Sequence, residues 1–428
     1  MAHTSLLTLG QISVLVGALA PATLVAQTSY KIETLNGLGG TVGGANSINS
    51  LGWASGTANK EGDIVSHAAL WVTGSAPIDL GSFGGPDRDS AVAWPVKNNT
   101  GLIVGISDTA DDNPLGEAFS CWPFFASGTP SRKICRGFRW ANGAMTPLPP
   151  FPGGYDSYAT AANNRGQVVG WAENGVHDPT CDPAFQILQF RAVIWGPDGE
   201  MQELPPLPGD STSAATAINN KGQVVGISGA CGIAVGDVSA AHAVLWENGI
   251  PIDIGSLGGH SWNTPTAINN HGTIVGFSLL AGQDGTRNYE AFIWTKEAGM
   301  HSLGKPDGDI RSAAFGINNR GQIVGLSRGG PYVFRALLWE NGVMTDLNTL
   351  TLPGSPFLLY ANDINDRGEI VGQAFNPDTE EAPAFVGIPS HIAVSSSSAV
   401  REAPKTTLPE MVRRQLRQRL DPVLGPDE

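Results

Sequence analysis

The sequence predicts an all-β protein: a seven-bladed β-propeller built of four-stranded antiparallel blades. Three observations carry that reading. The phrase Ile-Asn-Asn-x-Gly-x-Ile-Val-Gly recurs, in close or degraded form, seven times along the chain. A second phrase, x-Ala-apolar-apolar-Trp and then a short turn, follows each copy except the last. The composition, with 55 Gly and only 15% charged residues, suits short strands joined by many turns and not surface helices.

The clearest copies of the first phrase begin at Ile218, Ile268 and Ile317, and the others at Ile48, Lys97, Ala162 and Ile364. The copies stand about 47 to 65 residues apart, which is the size of a propeller blade. The first Asn of each copy is Asn49, Asn98, Asn163, Asn219, Asn269, Asn318 or Asn365. Asn before Gly caps its own turn and tolerates left-handed backbone, so this repeated Asn reads as structure and not as a ligand.

The second phrase supplies Trp71, Trp140, Trp195, Trp246, Trp294 and Trp339, six of the 11 tryptophans at one repeat position. Such regularity predicts burial between blades. The turn after Trp is Glu-Asn-Gly at Glu247–Gly249 and Glu340–Gly342, a strong hairpin signal. Each unit therefore holds four strands; in the fourth they are about Ala214–Ile218, Gln223–Ser228, Ala241–Trp246 and Ile250–Gly255. One such sheet cannot bury its faces alone, so the units stack around an axis.

The last unit ends after three strands, near Ala384–Ile388, with Gly387 in place of the Trp. The N-terminal stretch Lys31–Gly40 matches the fourth-strand segment Pro251–Gly259. Lys31–Leu35 is therefore expected to complete the last blade and remove an open sheet edge. The propeller is expected over residues 27–390.

Residues 1–26 read as an export signal, with an uncharged apolar run from Leu6 to Ala20 and small residues before Gln27. Four cysteines, an even number with no CxxC pair, fit an oxidising compartment. Cys121 and Cys135 fall in one long link of the second unit, while Cys181 and Cys231 fall in equivalent links of the third and fourth. The pairing expected from those positions is Cys121–Cys135 and Cys181–Cys231. Residues 391–428 form a linker and a basic amphipathic tail, with Leu408, Val412, Leu416 and Leu420 at helical spacing among Arg413, Arg414, Arg417 and Arg419.

The phrases at His67–Trp71 and His242–Trp246, the Asp79 segment Asp-Leu-Gly-Ser-Phe-Gly-Gly and the Ile-Asn-Asn cores together resemble the HAF repeat family of extracellular bacterial proteins. The resemblance spans about Lys31 to Pro389 and implies export and repeats, with no known chemistry. The His of the second phrase is replaced by Arg136, Arg191, Glu290, Arg335 and Pro383 in the other units, which argues against a repeated His-based metal site.

A net charge of −14 argues against nucleic acid as a partner. The sequence contains no Gly-x-Ser-x-Gly elbow, His-Glu-x-x-His, phosphate-binding loop or dinucleotide fingerprint, and no catalytic residue is assigned. The polar residues of the links between blades are expected to border the axial channel: Asp89, Asp156, Asp210, His260 and Asp309, with Asp87 and Asp307 beside them. Carboxylates converging there would hold Ca²⁺ or a sugar. Asp108, Asp111 and Asp112 are a second Ca²⁺ candidate, although the segment lacks the Gly and terminal Glu of a calcium loop. The reading that follows is a secreted, monomeric, non-enzymatic binding or scaffold module. Its ligand, a carbohydrate, a cation or a protein, is held on the face that carries the long links. The alternatives are a propeller-based polysaccharide lyase or glycoside hydrolase, and a structural cell-surface protein.

Overall fold

Seven four-stranded antiparallel sheets make up the computed structural model, in the order expected of a propeller. It describes residues 28–72, 75–233, 236–284, 286–330 and 333–390, together with Leu408 and Arg413. The expected export signal and nearly all of the C-terminal tail lie outside the described residues.

Each blade runs outward from the axis. In blade four the strands are Thr212–Ile218, Val224–Gly229, His242–Glu247 and Ile250–Asp253. In blade seven, Phe357–Ile364, Ile370–Phe375 and Ala384–Ser390 are joined by Ser29–Thr34 from the other end of the chain. That N-terminal strand pairs antiparallel with the third strand, Ile32 opposite Gly387.

The repeated residues have separate jobs. In blade four, Gly222 closes the first turn at φ 85°, and Asn248 and Gly249 close the second at 53° and 79°, left-handed values that glycine and asparagine tolerate best. The inner strand carries a bulge just before the Asn, as between Ala215 and Ala217. The bulge presses its carbonyls onto the second strand, where a Cβ on Gly226 would collide with the carbonyl of Ala214. The same conflict would arise at Gly170, Gly276, Gly325 and Gly372, so the second glycine of the phrase is required by close approach.

The core lies between the blades. Ala192, Ile194 and Leu204 of blade three pack on Ala215, Val224 and Trp246 of blade four. Trp195, Trp246, Trp294 and Trp339 are all buried, at most 9% exposed. Their indoles also bridge blades: Trp246 Nε1 donates to the carbonyl of Pro205 at 2.8 Å, and Trp195 to that of Pro149 at 3.0 Å. Leu408 is 4% exposed and packs among Val42, Phe334, Phe357, Tyr360 and Phe375, so at least this point of the tail segment is seated on the propeller.

Candidate functional site

The bulges decide what faces the axis. In six blades the bulged residue stands three places before the repeat Asn, at Asn46, Thr160, Thr216, Thr266, Phe315 and Asn362, and Pro95 holds the same sequence position in blade two. Five of these seven, all but Thr160 and Thr216, line one cavity. The two ends of the channel differ. At the tight-turn end, the second Asn of one blade accepts a backbone N–H from the preceding blade: Asn164 from Asn99 at 2.7 Å, Asn220 from Asn164 at 2.9 Å, and Asn270 from Asn220 at 3.0 Å. The first Asn adds a second belt, with Asn219 Nδ2 donating to the carbonyl of Asn269 at 3.0 Å and Asn365 Nδ2 to that of Asn49 at 2.9 Å. Only about 70 Å³ remains open between these belts.

At the opposite end the cavity is about 290 Å³. Its floor is the bulge residues, with Phe277, Tyr289 and Tyr360 on the walls. Its roof comes from the long links: Trp122 and Phe124 of blade two, Asp182 of blade three, and Ile233, Asp237 and Val238 of blade four. Trp94 and Trp262 complete the rim. Two disulfides hold these links, Cys121–Cys135 and Cys181–Cys231, the pairing expected from their positions. Trp122 is further held by stacking on Phe185, with ring centroids 6.3 Å apart.

Most polar side chains in the lining are already engaged by the protein. Asn362 Nδ2 donates to Asn46 Oδ1 at 2.8 Å, and Asn46 Nδ2 donates to the carbonyl of Val92. Thr266 Oγ1 donates to the carbonyl of Ala314 at 2.8 Å, and Ser120 Oγ accepts from Trp171 Nε1 at 3.2 Å. Among the described residues no Lys, Arg or His lines the cavity.

None of the five residues expected around the channel lines this cavity. Asp89 is buried and accepts from the Ser66 backbone N–H and hydroxyl, both at 2.8 Å, tying blade one to the link that follows it. Asp210 accepts from Ser228 Oγ at 2.6 Å and faces His242 Nδ1 at 2.9 Å. Asp309 binds Ser327 and Arg335. His260, Asp87 and Asp307 are exposed. His260 donates its backbone N–H to Asp284 at 2.9 Å. These acids stitch neighbouring segments of the links; they are not gathered in one group. Asp108, Asp111 and Asp112 are not gathered either. Asp108 is buried, with its carboxyl pushed by desolvation up to about 7, while Asp111 and Asp112 are exposed. Asp112 pairs with Lys133 at 2.6 Å.

Asp156 belongs to a group the sequence did not suggest. It lies within 4.8 Å of the carboxylates of Glu117 and Glu173, and all three are buried. Asn113 Nδ2 and the Cys135 N–H each donate to Asp156 at 2.6 Å. The Ile187 and Leu188 N–H groups donate to Glu117 at 2.6 and 2.7 Å. Glu173 accepts from the Tyr155 and Asp156 N–H groups and from Gln186 Nε2, all at 2.9 Å. Desolvation, then the neighbouring carboxylates, pushes Glu173 well above the usual carboxylate range. Desolvation likewise pushes Asp156 up to about 8, with Glu117 adding to it and Arg136 opposing. The trio is the internal fastening of the links of blades two and three. The other group of metal-ligating residues found among the described residues, Asp178 with Cys181 and Cys231, contains a formed disulfide.

The aromatic cavity was legible only in part. The position three before the Asn varies in type, Thr in three copies, Asn in two, Phe and Pro in the others, while its neighbours repeat. That variation is the signal of an axial position.

No family model matches the chain, and no curated protein does. Among solved structures it is similar to the β-propeller domain of the Trilobed protease from Pyrococcus furiosus, at 8% identity over 84% of this chain and 97% of that one, with a TM-score of 0.47. It is similar to virginiamycin B lyase from Staphylococcus aureus, at 11% identity over 85% of this chain and 100% of that one, with a TM-score of 0.46. It is also similar to a puromycin hydrolase, at 12% identity over 84% and 53% of the two chains, with a TM-score of 0.43.

Proposed function

We propose that this chain is an exported, non-enzymatic binding module that captures a small, largely apolar organic molecule in its axial cavity. One observation carries the reading. The link-bearing end of the channel opens into a cavity of about 290 Å³ walled by aromatic side chains from blades two, five, six and seven. Concave, mostly apolar sites with a few polar groups are where small ligands bind. The opposite end is closed by the asparagine belts.

The accounting of polar groups favours an apolar guest over a sugar. A polyhydroxylated ligand needs many partners, whereas Asn46, Asn362, Thr266 and Ser120 are already hydrogen-bonded within the protein and the unpartnered donors of the described lining are two indole N–H groups, those of Trp94 and Trp122. A buried hydroxyl left without a partner costs roughly 1–3 kcal/mol. The same accounting weighs against the polysaccharide lyase and glycoside hydrolase readings. Two disulfides support an oxidising destination. Among the described residues no helix is long and apolar enough to cross a membrane. The repeat phrases remain those of the HAF repeat family, and membership in it is part of the proposal.

The test is titration with a neutral apolar fluorophore, N-phenyl-1-naphthylamine. Saturable binding at one site is expected, with quenching of tryptophan emission from Trp94, Trp122 and Trp262. Trp122→Ala and Phe315→Ala should each weaken it by about tenfold or more, near 1.4 kcal/mol. Leu51→Ser, on the exposed tight-turn face, should leave it unchanged. Binding that is unsaturable, or equal in all four proteins, would remove the cavity from consideration.

A further inference from the structure

Resting on the reading just given, we propose that the molecule taken by the axial cavity is an organic cation, a quaternary or substituted ammonium carrying apolar groups. The charge distribution of the lining points there. Among the described residues, its only ionisable acids and bases apart from tyrosine are two carboxylates, Asp182 and Asp237, with no Lys, Arg or His beside them. Asp182 Oδ1 accepts the Ala184 N–H at 3.0 Å, and no cationic side chain among the described residues pairs with either acid. At the cavity mouth Asp182 is half-buried and Asp237 exposed, so both present their charge to an entering guest. A cation gains from both.

The walls have matching chemistry. The π faces of Trp, Tyr and Phe attract a cation by roughly 0.5–2 kcal/mol each, more as water is excluded, and boxes of such rings recognise ammonium groups whose methyls cannot donate hydrogen bonds. Two of the rings already receive cations in this structure: the guanidinium of Arg287 lies 5.4 Å from the Trp262 ring and that of Arg311 lies 5.3 Å from the Tyr289 ring. Neither arginine belongs to the lining. A quaternary ammonium also suits the engaged state of Asn46, Thr266 and Asn362, because it asks for no acceptor or donor. A chain of net charge −14 attracts such a ligand at long range.

The experiment displaces N-phenyl-1-naphthylamine with benzyltrimethylammonium and, in parallel, with its uncharged carbon isostere neopentylbenzene. The ammonium should bind at least tenfold tighter. The double variant Asp182→Asn with Asp237→Asn should lower ammonium affinity about tenfold and leave the isostere unchanged, with the melting temperature showing that the fold persists. Added salt should weaken the ammonium only. Equal affinity of the two compounds overturns the cation inference while the binding reading stands on the fluorophore. Failure of both to displace a bound fluorophore overturns it too. If the fluorophore itself finds no site, the binding reading falls first. Choline offered free and on phosphatidylcholine vesicles separates the two sources of the group: competition by free choline supports a soluble ligand, and pelleting with vesicles assigns the same chemistry to a lipid headgroup.

Discussion

Lys97 shows how a break in a repeat becomes intelligible one residue at a time. Five of the seven copies begin with Ile, and a cation at that position looks like decay of the motif. In the folded ring Lys97 pairs with Asp363 of blade seven and donates to the carbonyl of Ile364 at 2.8 Å. Asp363 is 0% exposed and also accepts the Ile48 N–H at 3.0 Å. Desolvation pushes its carboxyl up, and Lys97 opposes that shift. Removing one partner of a buried pair leaves an uncompensated charge, which costs about 3–5 kcal/mol. Lys97→Met should therefore lose about that much stability in urea at pH 7, and adding Asp363→Asn should recover most of it. A single variant within about 1 kcal/mol of the parent would show that the pair is incidental. The partner could not have been named from the sequence, since 266 residues separate the two. Only the closure of one blade against another brings them together.

At the scale of the element, the repeating strand pattern was visible because a period-two code and a turn code recur in register. The links were visible only as insertions. Their cysteines announced themselves, and the pairing follows from where they sit. The carboxylate trio did not, because Glu117, Asp156 and Glu173 lie on three separate segments and each looks like an ordinary turn or strand-end acid. The trio makes the links sensitive to pH, and the sign follows from the direction of the shifts. Asp156 and Glu173 have folded pKa values raised above their unfolded ones by desolvation. Their contribution is fully present below the ordinary carboxylate pKa near 4. It declines as pH rises, through about 8 for Asp156. Hydrogen-exchange protection of the Ile187, Leu188 and Cys135 amides should therefore fall between pH 5 and pH 9 by about tenfold or more after correction for intrinsic exchange. Asp156→Asn should flatten that slope. A slope unchanged by the substitution, or protection rising with pH, would show that these carboxyls are not shared with protons in the folded links.

At the scale of the molecule, the blade count, the strand order and the buried Trp row were all readable, because each rests on a local signal that recurs, the Asn-Gly phrase seven times and the Trp phrase six. What the axis presents to a ligand was not readable, since it depends on a bulge that re-aims one residue in six of the blades, whereas the end of the channel at which the wide cavity lies is the one the long links mark. The asparagines stand between these cases: their turn role is local, and their role in joining blades exists only in the ring. Asn219 Oδ1 accepts the Lys221 and Gln223 N–H groups at 3.0 and 3.1 Å, while its Nδ2 reaches the next blade at Asn269. Asn365 repeats this geometry between the last blade and the first, accepting from Arg367 and Glu369, both at 3.0 Å, and reaching Asn49. If the ring unfolds as one unit, the two positions are equivalent although one lies mid-chain and the other joins the chain's distant parts. Asn219→Ala and Asn365→Ala should then each cost roughly 1–3 kcal/mol, the desolvation of orphaned turn donors. Both should lower the urea midpoint without changing the slope m, which follows the surface exposed on unfolding. A solenoid held by neighbour contacts alone would behave differently: Asn365→Ala would open the junction first and produce two transitions, or a reduced m, while Asn219→Ala would not. A clean single transition in both variants is the expected result, and a split confined to Asn365→Ala would show that the junction of the last and first blades is a separately melting joint.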